Sequence, residues 1–240
     1  MAREAQYGVV VARSDVTGVA SFDTPLAASA PLSLRAAAAV FFTQRSPRVI
    51  AITLVATVAA RVVVGAWSWW DLLAPAVLIA LQPFTEWNIH VFLLHFKPRQ
   101  VAGRTLDPLV SRKHRAHHGD PKDLALVFIP MPALLPLIGG MAGAFLLLMP
   151  LSRGLSLLVA GYAMLFTYEW THYLIHSPYR PRHRPYRYVW RAHRNHHFRN
   201  EHYWFGVTMH LADHVLGTFP DKAAVDVSPT ARTLGVEQAA

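Results

Sequence analysis

Residues 168–176 read Y-E-W-T-H-Y-L-I-H, and residues 193–197, after a short basic link, read H-R-N-H-H. The first motif closes an apolar run that is long enough to form one membrane helix. Positions i, i+3 and i+4 of a helix share one face, so the imidazoles within each motif are able to converge. This stretch predicts an apolar helix that ends in histidines and a following segment that adds three more.

Two similar motifs lie upstream, H-V-F-L-L-H at 90–95 and H-R-A-H-H at 114–118, so ten of the fourteen histidines occur in four tight groups. Such grouping is typical of a multinuclear metal site rather than of isolated interfacial histidines. The candidate ligands are His90, His95, His114, His117, His118, His172, His176, His193, His196 and His197. Structural, interfacial or supporting roles are expected for the other four, His183, His202, His210 and His214.

The spacing of His90 and His95 is unusual. Five residues turn about 140° around an ideal helix, so the two rings share one line only if the helix end is distorted, or else they serve different metals. The chain has no cysteine, so nitrogen and oxygen atoms must hold any metal. Imidazole suits iron, zinc, copper and nickel, and the motifs therefore predict a site without choosing its occupant.

The composition is that of a membrane protein. Of the 240 residues, 53% are hydrophobic and only 15% are charged, which is too apolar for an ordinary soluble domain. The formal net charge of +9 could indicate nucleic acid binding, but the basic residues flank the apolar runs instead of forming one face. We interpret them as topology-setting charges that attract anionic lipid headgroups, and we expect no nucleic acid partner.

Four apolar runs are long enough to cross a bilayer. They cover residues 49–66, 72–94, 124–150 and 155–175. Arginine and lysine crowd the N-terminal tail, the 96–123 segment and the C-terminal segment, so these three segments should be cytoplasmic. The predicted fold is all-α, a four-transmembrane-helix bundle with a cytoplasmic histidine-rich helical cap that holds a multinuclear metal site.

The predicted domain boundaries follow from the same pattern. Residues 1–46 are expected to be a mostly disordered cytoplasmic tail without a typical signal peptide. Residues 47–220 should form a single membrane-embedded domain, and residues 221–240 a polar C-terminal tail. The Ala- and Arg-rich composition indicates a bacterial source, so the expected location is a bacterial inner membrane, with the metal site and both termini in the cytoplasm.

The four histidine motifs, followed by F-G-V-T-M-H-L-A-D-H-V-L-G-T at 205–218, resemble those of the integral-membrane fatty acid hydroxylase and sterol desaturase superfamily. The resemblance runs from about residue 86 to residue 219. H-H-G-D-P-K-D-L-A-L-V-F-I-P-M-P-A at 117–133 is most similar to the fatty acid 2-hydroxylase branch. The sterol-enzyme version of the closing motif usually has Asn where this chain has Trp204. The closing motif of the superfamily usually has an aromatic residue before the Asp, where this chain has Ala212.

The resemblance implies a di-iron monooxygenase in which the ten grouped histidines bind two iron ions. Zinc is expected to be able to replace iron in a purified or crystallised form. Glu86, Glu169 and Asp213 are implied as carboxylates that orient the rings, although Glu86 and Glu169 could instead be helix-end charges that reach the interface. No haem is expected in this chain, so electrons should come from a separate cytochrome b5-like protein, ferredoxin or reductase.

The expected reaction is 2-hydroxylation of a fatty acyl chain with dioxygen and external electrons. One alternative is another lipid oxidation of the same superfamily, namely hydroxylation or desaturation of a carotenoid or a sterol. A second alternative, from a different class, is a non-enzymatic membrane protein that binds zinc through its histidines. The identity of the lipid that gains oxygen distinguishes fatty acyl 2-hydroxylation from the other lipid oxidations. A lack of oxygen consumption would indicate the non-enzymatic zinc-binding protein.

Overall fold

The structure of the protein, a computed structural model, describes residues 32–236. Of the described residues, 66% are helical, which confirms the expectation of a mostly helical fold. The helices are α1 (Leu34–Phe41), α2 (Arg45–Val64), α3 (Trp70–Asn88), α4 (Leu109–Gly119), α5 (Leu124–Val127), α6 (Met131–Leu148), α7 (Leu151–His176), α8 (Arg184–Phe198) and α9 (Leu211–Val215). A π-helix, Ile89–Leu94, continues α3, a 3-10 helix covers Lys222–Ala224, and strands β1 (Arg99–Val101) and β2 (Arg104–Leu106) pair antiparallel.

Helix α7 is the centre of the bundle. It packs against α2, α3 and α6, and it buries side chains along its length, from Leu155 to Ile175. Its 26 residues extend over about 39 Å at 1.5 Å per residue, which exceeds the thickness of the hydrocarbon layer. Gly154 permits the close approach of α6, because a Cβ atom at this position would meet the carbonyl oxygen of Phe145 at 2.6 Å.

Three helical stretches are long and apolar enough to cross a membrane: Arg45–Val64, Trp70–Leu94 and Leu124–Leu148. They correspond to the first three predicted spans, and the third begins with a break between α5 and α6, as its prolines predict. Helix α7, the expected fourth span, is not among them, and its sequence contains Arg153, Glu169 and two histidines. The count of four spans is therefore not confirmed.

Arg61, the charge inside the first span, faces the neighbouring helices. Its Nη2 donates to Asp71 Oδ1 of α3 at 2.7 Å, and its Nε donates to Ser156 Oγ of α7 at 2.7 Å. The hydroxyl of Ser156 in turn donates to Asp71 Oδ1 at 2.6 Å. The apolar bundle tolerates this buried charge because it is paired, and the pair joins α2, α3 and α7 at the end away from the histidines.

The structure differs from the predicted N-terminal tail within residues 32–46. Residues 34–41 form α1, and the side chains of Ala37 and Phe41 are fully buried against α7. Composition alone predicts disorder because it does not show that α7 offers an apolar surface to these side chains. The rest of the tail prediction, on residues 1–31, lies outside the described residues, as do residues 237–240.

Candidate metal centre

All ten grouped histidines lie together at one end of the bundle. A first group, whose ligand atoms lie within 4.8 Å of one another, comprises His90, His95, His114, His118 and His196. A second group, by the same criterion, comprises His117, His172, His176 and His197. The tenth ring, His193, lies between them, with its centroid 4.7 Å from that of His197 and 6.0 Å from that of His90. Adjacent histidines point to different groups, since successive residues of a helix face different directions.

The π-helix explains how His90 and His95 reach the same group. The amide of His95 donates to the carbonyl of His90, five residues back, at 3.1 Å. This wider turn places residue i+5 above residue i, and the two ring centroids are 4.9 Å apart. Of the two alternatives left by the spacing, the distorted helix end is therefore the one found.

Main-chain carbonyl groups hold four of the rings. The Nδ1 hydrogen bonds run from His90 to Phe205 at 2.6 Å, from His118 to Ala231 at 2.8 Å, from His172 to Val127 at 3.0 Å and from His196 to Tyr203 at 2.8 Å. A carbonyl oxygen only accepts hydrogen bonds, so it fixes the proton on Nδ1 and leaves the Nε2 lone pair free. In His118, His172 and His196 this Nε2 atom is buried without a hydrogen-bond partner. Inward-facing lone pairs of this kind are what a metal ligand requires.

Three pairs of rings bring two Nε2 atoms together. The separations are 3.1 Å for His90 and His114, 3.2 Å for His117 and His176, and 3.1 Å for His193 and His197. Two nitrogen ligands that bind one ion at about 2.1 Å lie about 3.0–3.4 Å apart in octahedral or tetrahedral geometry. The paired nitrogens therefore have the spacing of ligands that share an ion.

The rings on α4 and α8 are neutral at neutral pH. Burial, followed by repulsion from neighbouring imidazoles, lowers their pKa values well below 6.5 in His114, His117, His193, His196 and His197. Burial also lowers the pKa of His118 to about 4, against the opposing effect of the Ala231 carbonyl. Neutral imidazole is the form that binds a metal, so the site needs no deprotonation before loading.

Two carboxylates hold the loop that presents a carbonyl to His90. Asp213 accepts hydrogen bonds from the amides of residues 205 and 206 at 2.9 and 2.8 Å. Glu86 accepts from the amides of residues 207 and 208, the latter at 2.9 Å. Four consecutive amides are thereby fixed, and the Phe205 carbonyl is directed at the His90 ring.

Glu169 has the equivalent position on the other side of the centre. Its carboxylate accepts hydrogen bonds from Ser46 Oγ at 2.7 Å and from the amide of Ile129 at 2.9 Å. Ile129 lies two residues after Val127, whose carbonyl holds the ring of His172. Within residues 32–236, none of the three predicted carboxylates makes a hydrogen bond to one of the ten rings. They contact main-chain amides or other side chains, and the main-chain carbonyls hold the rings.

A C-terminal strap, residues 225–235, covers the centre where a polar tail was expected. The Ala231 carbonyl accepts from His118, the Thr230 hydroxyl donates to the buried carboxylate of Glu201, and the side chain of Leu234 is buried. Sequence reasoning did not single out Glu201 or the strap. No pattern of side chains marks a main-chain carbonyl as a partner of a ring, so the residue types carry no signal for this contact.

A family model described as fatty acid hydroxylase matches residues 75–218. The chain belongs to the fatty acid hydroxylase family. This match confirms the resemblance that the histidine motifs indicate. The strap lies beyond the part of the chain that the family model matches.

Members of the fatty acid hydroxylase family that resemble this chain are named as 2-hydroxylases. The dihydroceramide fatty acyl 2-hydroxylase FAH2 of Arabidopsis thaliana is 33% identical over 147 residues, which cover 60% of this chain and 59% of the relative. The fatty acid 2-hydroxylase of Homo sapiens is 34% identical over 142 residues, which cover 57% of this chain and 37% of the relative. The chain therefore spans about three fifths of the plant relative and less than two fifths of the human one.

A solved structure of full-length scs7p, in which only the hydroxylase domain is visible, resembles the fold. Its TM-score is 0.59 at 18% sequence identity, over 80% of this chain and 68% of that chain. At this identity the likeness concerns the fold alone.

The four other histidines of this hydroxylase-family chain lie outside both groups. His210 is buried, and its Nδ1 donates to Asp213 Oδ2 at 2.9 Å. The Nε2 atom of His214 and the hydroxyl of Tyr188 share a hydrogen bond of 2.5 Å. The side chain of His202 is 68% exposed, and His183 precedes α8 as an exposed residue.

Proposed function

We propose that the ten grouped histidines bind two iron ions and that the protein is a dioxygen-dependent monooxygenase acting on a long lipid chain. The observation that carries the proposal is the set of buried imidazole nitrogens whose lone pairs face one another in two adjacent groups. One ion would be held by His90, His95, His114, His118 and His196, and the other by His117, His172, His176 and His197. His193 completes the centre beside the second ion, through its 3.1 Å contact with His197.

The reaction inserts one oxygen atom of dioxygen into a C–H bond and releases the other as water, which consumes two electrons and two protons. When bound, the two irons supply the dioxygen activation that no protein side chain provides. Zinc is able to bind the same nitrogens, because imidazole suits both metals, but it has no redox chemistry. An iron-loaded protein is therefore the active form under this proposal.

The chain itself positions the ligands and excludes water. The carbonyls of residues 127, 203, 205 and 231 keep four Nδ1 protons away from the centre, so each Nε2 lone pair points inward. Nearly all of the ten rings are buried, which separates the reacting groups from bulk water. Asp213, Glu86 and Glu169 maintain this arrangement through the loops that they hold.

The substrate proposed is a fatty acyl chain, hydroxylated at carbon 2. The relatives named as fatty acid and dihydroceramide fatty acyl 2-hydroxylases support this choice. Three helices that are apolar enough to cross a membrane support access from the bilayer. A lipid chain could then approach the histidine end of the bundle from the side.

The membrane arrangement proposed has four spans, with α7 as the fourth, and a cytoplasmic histidine cap. The length of α7 supports this, as do the histidines at the ends of the second predicted span and α7. Exposed arginines and lysines around α4 and α8 support a cytoplasmic position under the positive-inside rule. The same basic surface suits an acidic electron donor, namely a separate cytochrome b5-like protein, a ferredoxin or a reductase.

Lipid mass spectrometry on cells grown under labelled dioxygen tests the reaction. Cells expressing the wild-type chain should accumulate a labelled 2-hydroxy fatty acid, whereas the double variant His193→Ala, His197→Ala should not. His183→Ala, an exposed histidine outside both groups, is the matched control and should retain the product. Membrane content of each variant is measured by immunoblot, so that loss of product is not confused with loss of protein.

Other outcomes of this experiment separate the alternatives. Label in a carotenoid or sterol would retain the metal centre and change the substrate. No labelled product, with metal bound and a competent donor supplied, would contradict the proposal and favour a non-enzymatic zinc-binding protein.

A further inference from the structure

A groove on the outer face of α8 lies on the side of this helix that faces away from the metal centre. This open groove has a volume of about 620 Å³, within the range of sites that bind small molecules. Its main lining residues are Arg184, Arg187, Arg191, Lys222, Trp204 and Phe219. None of them belongs to the two histidine groups.

Three guanidinium groups make the groove strongly basic. Arg184, Arg187 and Arg191 follow one another at i, i+3 and i+7, and therefore lie on one face of the helix. All three are exposed, and none forms an ion pair with another residue in the described part of the chain. Asp221, a carboxylate on the same lining, instead accepts from the amide of Ala223 at 2.9 Å. The three arginines and Lys222 outnumber this one carboxylate, so the groove carries a net positive charge.

The floor of the groove is apolar and firmly packed. The buried indole of Trp204 packs with Ala192 and supports the floor from below, whereas the apolar surface open to a ligand comes from Tyr188 and Phe219. The ring of Tyr188 stacks on that of Phe219 with centroids 5.2 Å apart, and its hydroxyl is held by His214. A ligand for this groove therefore needs an anionic group for the rim and an apolar part for the floor.

The groove lies beside a helix that is able to cross the membrane. The indole of Trp87, in α3, donates to the hydroxyl of Thr218 at 3.0 Å, next to the groove residue Phe219. Helix α9 packs on α3 and leaves Leu211 and Val215 exposed. Exposed apolar side chains next to a spanning helix are expected to contact lipid, which places the groove near the level of the headgroups.

We propose that this groove binds the phosphate headgroup of an anionic membrane lipid. Guanidinium groups bind phosphate oxygens in a bidentate manner, and the aromatic floor can contact the glycerol and the first acyl carbons. The headgroup would hold α8 against the membrane, while the opposite face of the helix carries His193, His196 and His197. The proposal concerns a lipid site that is separate from the metal centre and does not depend on iron or on turnover.

Binding of short-chain lipids to the full chain in uncharged detergent tests the proposal. Dihexanoyl phosphatidic acid is titrated calorimetrically, with inorganic phosphate and dihexanoyl glycerol as the two halves of the ligand tested separately. The groove variant is Arg184→Gln, Arg187→Gln, Arg191→Gln. Its control is Arg104→Gln, Arg112→Gln, Lys113→Gln, which removes the same charge from exposed residues in and before α4.

The groove variant should bind phosphatidic acid about 100-fold more weakly than the wild-type chain, and Arg187→Gln alone about fivefold more weakly. The control variant should retain wild-type affinity, and phosphate or dihexanoyl glycerol alone should bind far more weakly than the intact lipid. Metal content and thermal unfolding confirm that each variant is folded. If the triple groove variant does not fold, the single variant alone decides the question.

Three results would overturn the proposal. Equal affinity in the groove variant and the wild-type chain would show that the lipid binds elsewhere. Equal losses in the groove and control variants would show that overall charge, and not the groove, attracts the lipid. Binding of inorganic phosphate as tight as that of phosphatidic acid would show a soluble-anion site instead of a lipid site.

Discussion

Replacement of Asp213 by Asn should weaken both the fold and the metal centre. The carboxylate is fully buried and accepts four hydrogen bonds: Oδ1 accepts from residues 205 and 218, and Oδ2 from residues 206 and 210. An Asn amide retains an acceptor at only one of the two positions. Whichever way it is turned, at least one buried backbone amide loses its partner.

The expected magnitude follows from these lost hydrogen bonds. A buried donor left without a partner costs about 1–3 kcal/mol, and bonds to a charged acceptor contribute about 1.5–3 kcal/mol. The free energy of unfolding of Asp213→Asn should therefore fall by about 3 kcal/mol. The loop that carries the Phe205 carbonyl is then less firmly held, so His90 loses orientation and metal affinity should fall by about 10–100-fold.

Two measurements on the purified protein test this prediction. Thermal unfolding in detergent reports the loss of stability, and competition with a metal chelator reports the loss of affinity. Asp221→Asn is the matched control, because Asp221 is exposed and accepts from a single backbone amide at a 3-10 helix, a contact that Asn can replace. Wild-type stability and wild-type metal affinity in Asp213→Asn would refute the role given to this loop.

Three further substitutions or deletions test other parts of the structure. His172→Ala should abolish lipid hydroxylation in a cell assay without changing membrane insertion, and retained turnover would remove His172 from the centre. Deletion of residues 225–240 removes the Ala231 carbonyl, so chelator competition should show metal affinity reduced by about 10–100-fold, and an unchanged affinity would contradict the role of the strap. Gly154→Ala should lower the free energy of unfolding by about 1–3 kcal/mol because its Cβ meets backbone of α6, whereas Gly143→Ala, which faces open space, should not.

The motifs were sufficient to predict which side chains meet. The histidines occur at helical spacing, at or just beyond the ends of apolar runs, on one predicted side of the membrane. Few arrangements of the helices would keep these side chains apart. Even the irregular spacing of His90 and His95 carried information, since it required either a distorted helix or separate metals. The π-helix Ile89–Leu94 is that distortion.

The partners of the rings could not be predicted in the same way. Every residue except proline has the same backbone amide and carbonyl, so nothing distinguishes Val127 or Ala231 in the sequence as a hydrogen-bond acceptor for a histidine. The resemblance implied that the three carboxylates orient the rings, and the structure places main-chain loops between these carboxylates and the rings. Packing also explains α1, because its apolar side chains are buried only once α7 is in place.

The metal content of the protein purified from iron-supplied cells tests the central claim most directly. The two-group arrangement predicts two iron ions per wild-type chain, and one ion per chain in each of two variants, His95→Ala from the first group and His172→Ala from the second. The exposed-histidine variant His183→Ala should retain both ions. A single ion in the wild-type chain, or the same two ions in all three variants, would contradict the account.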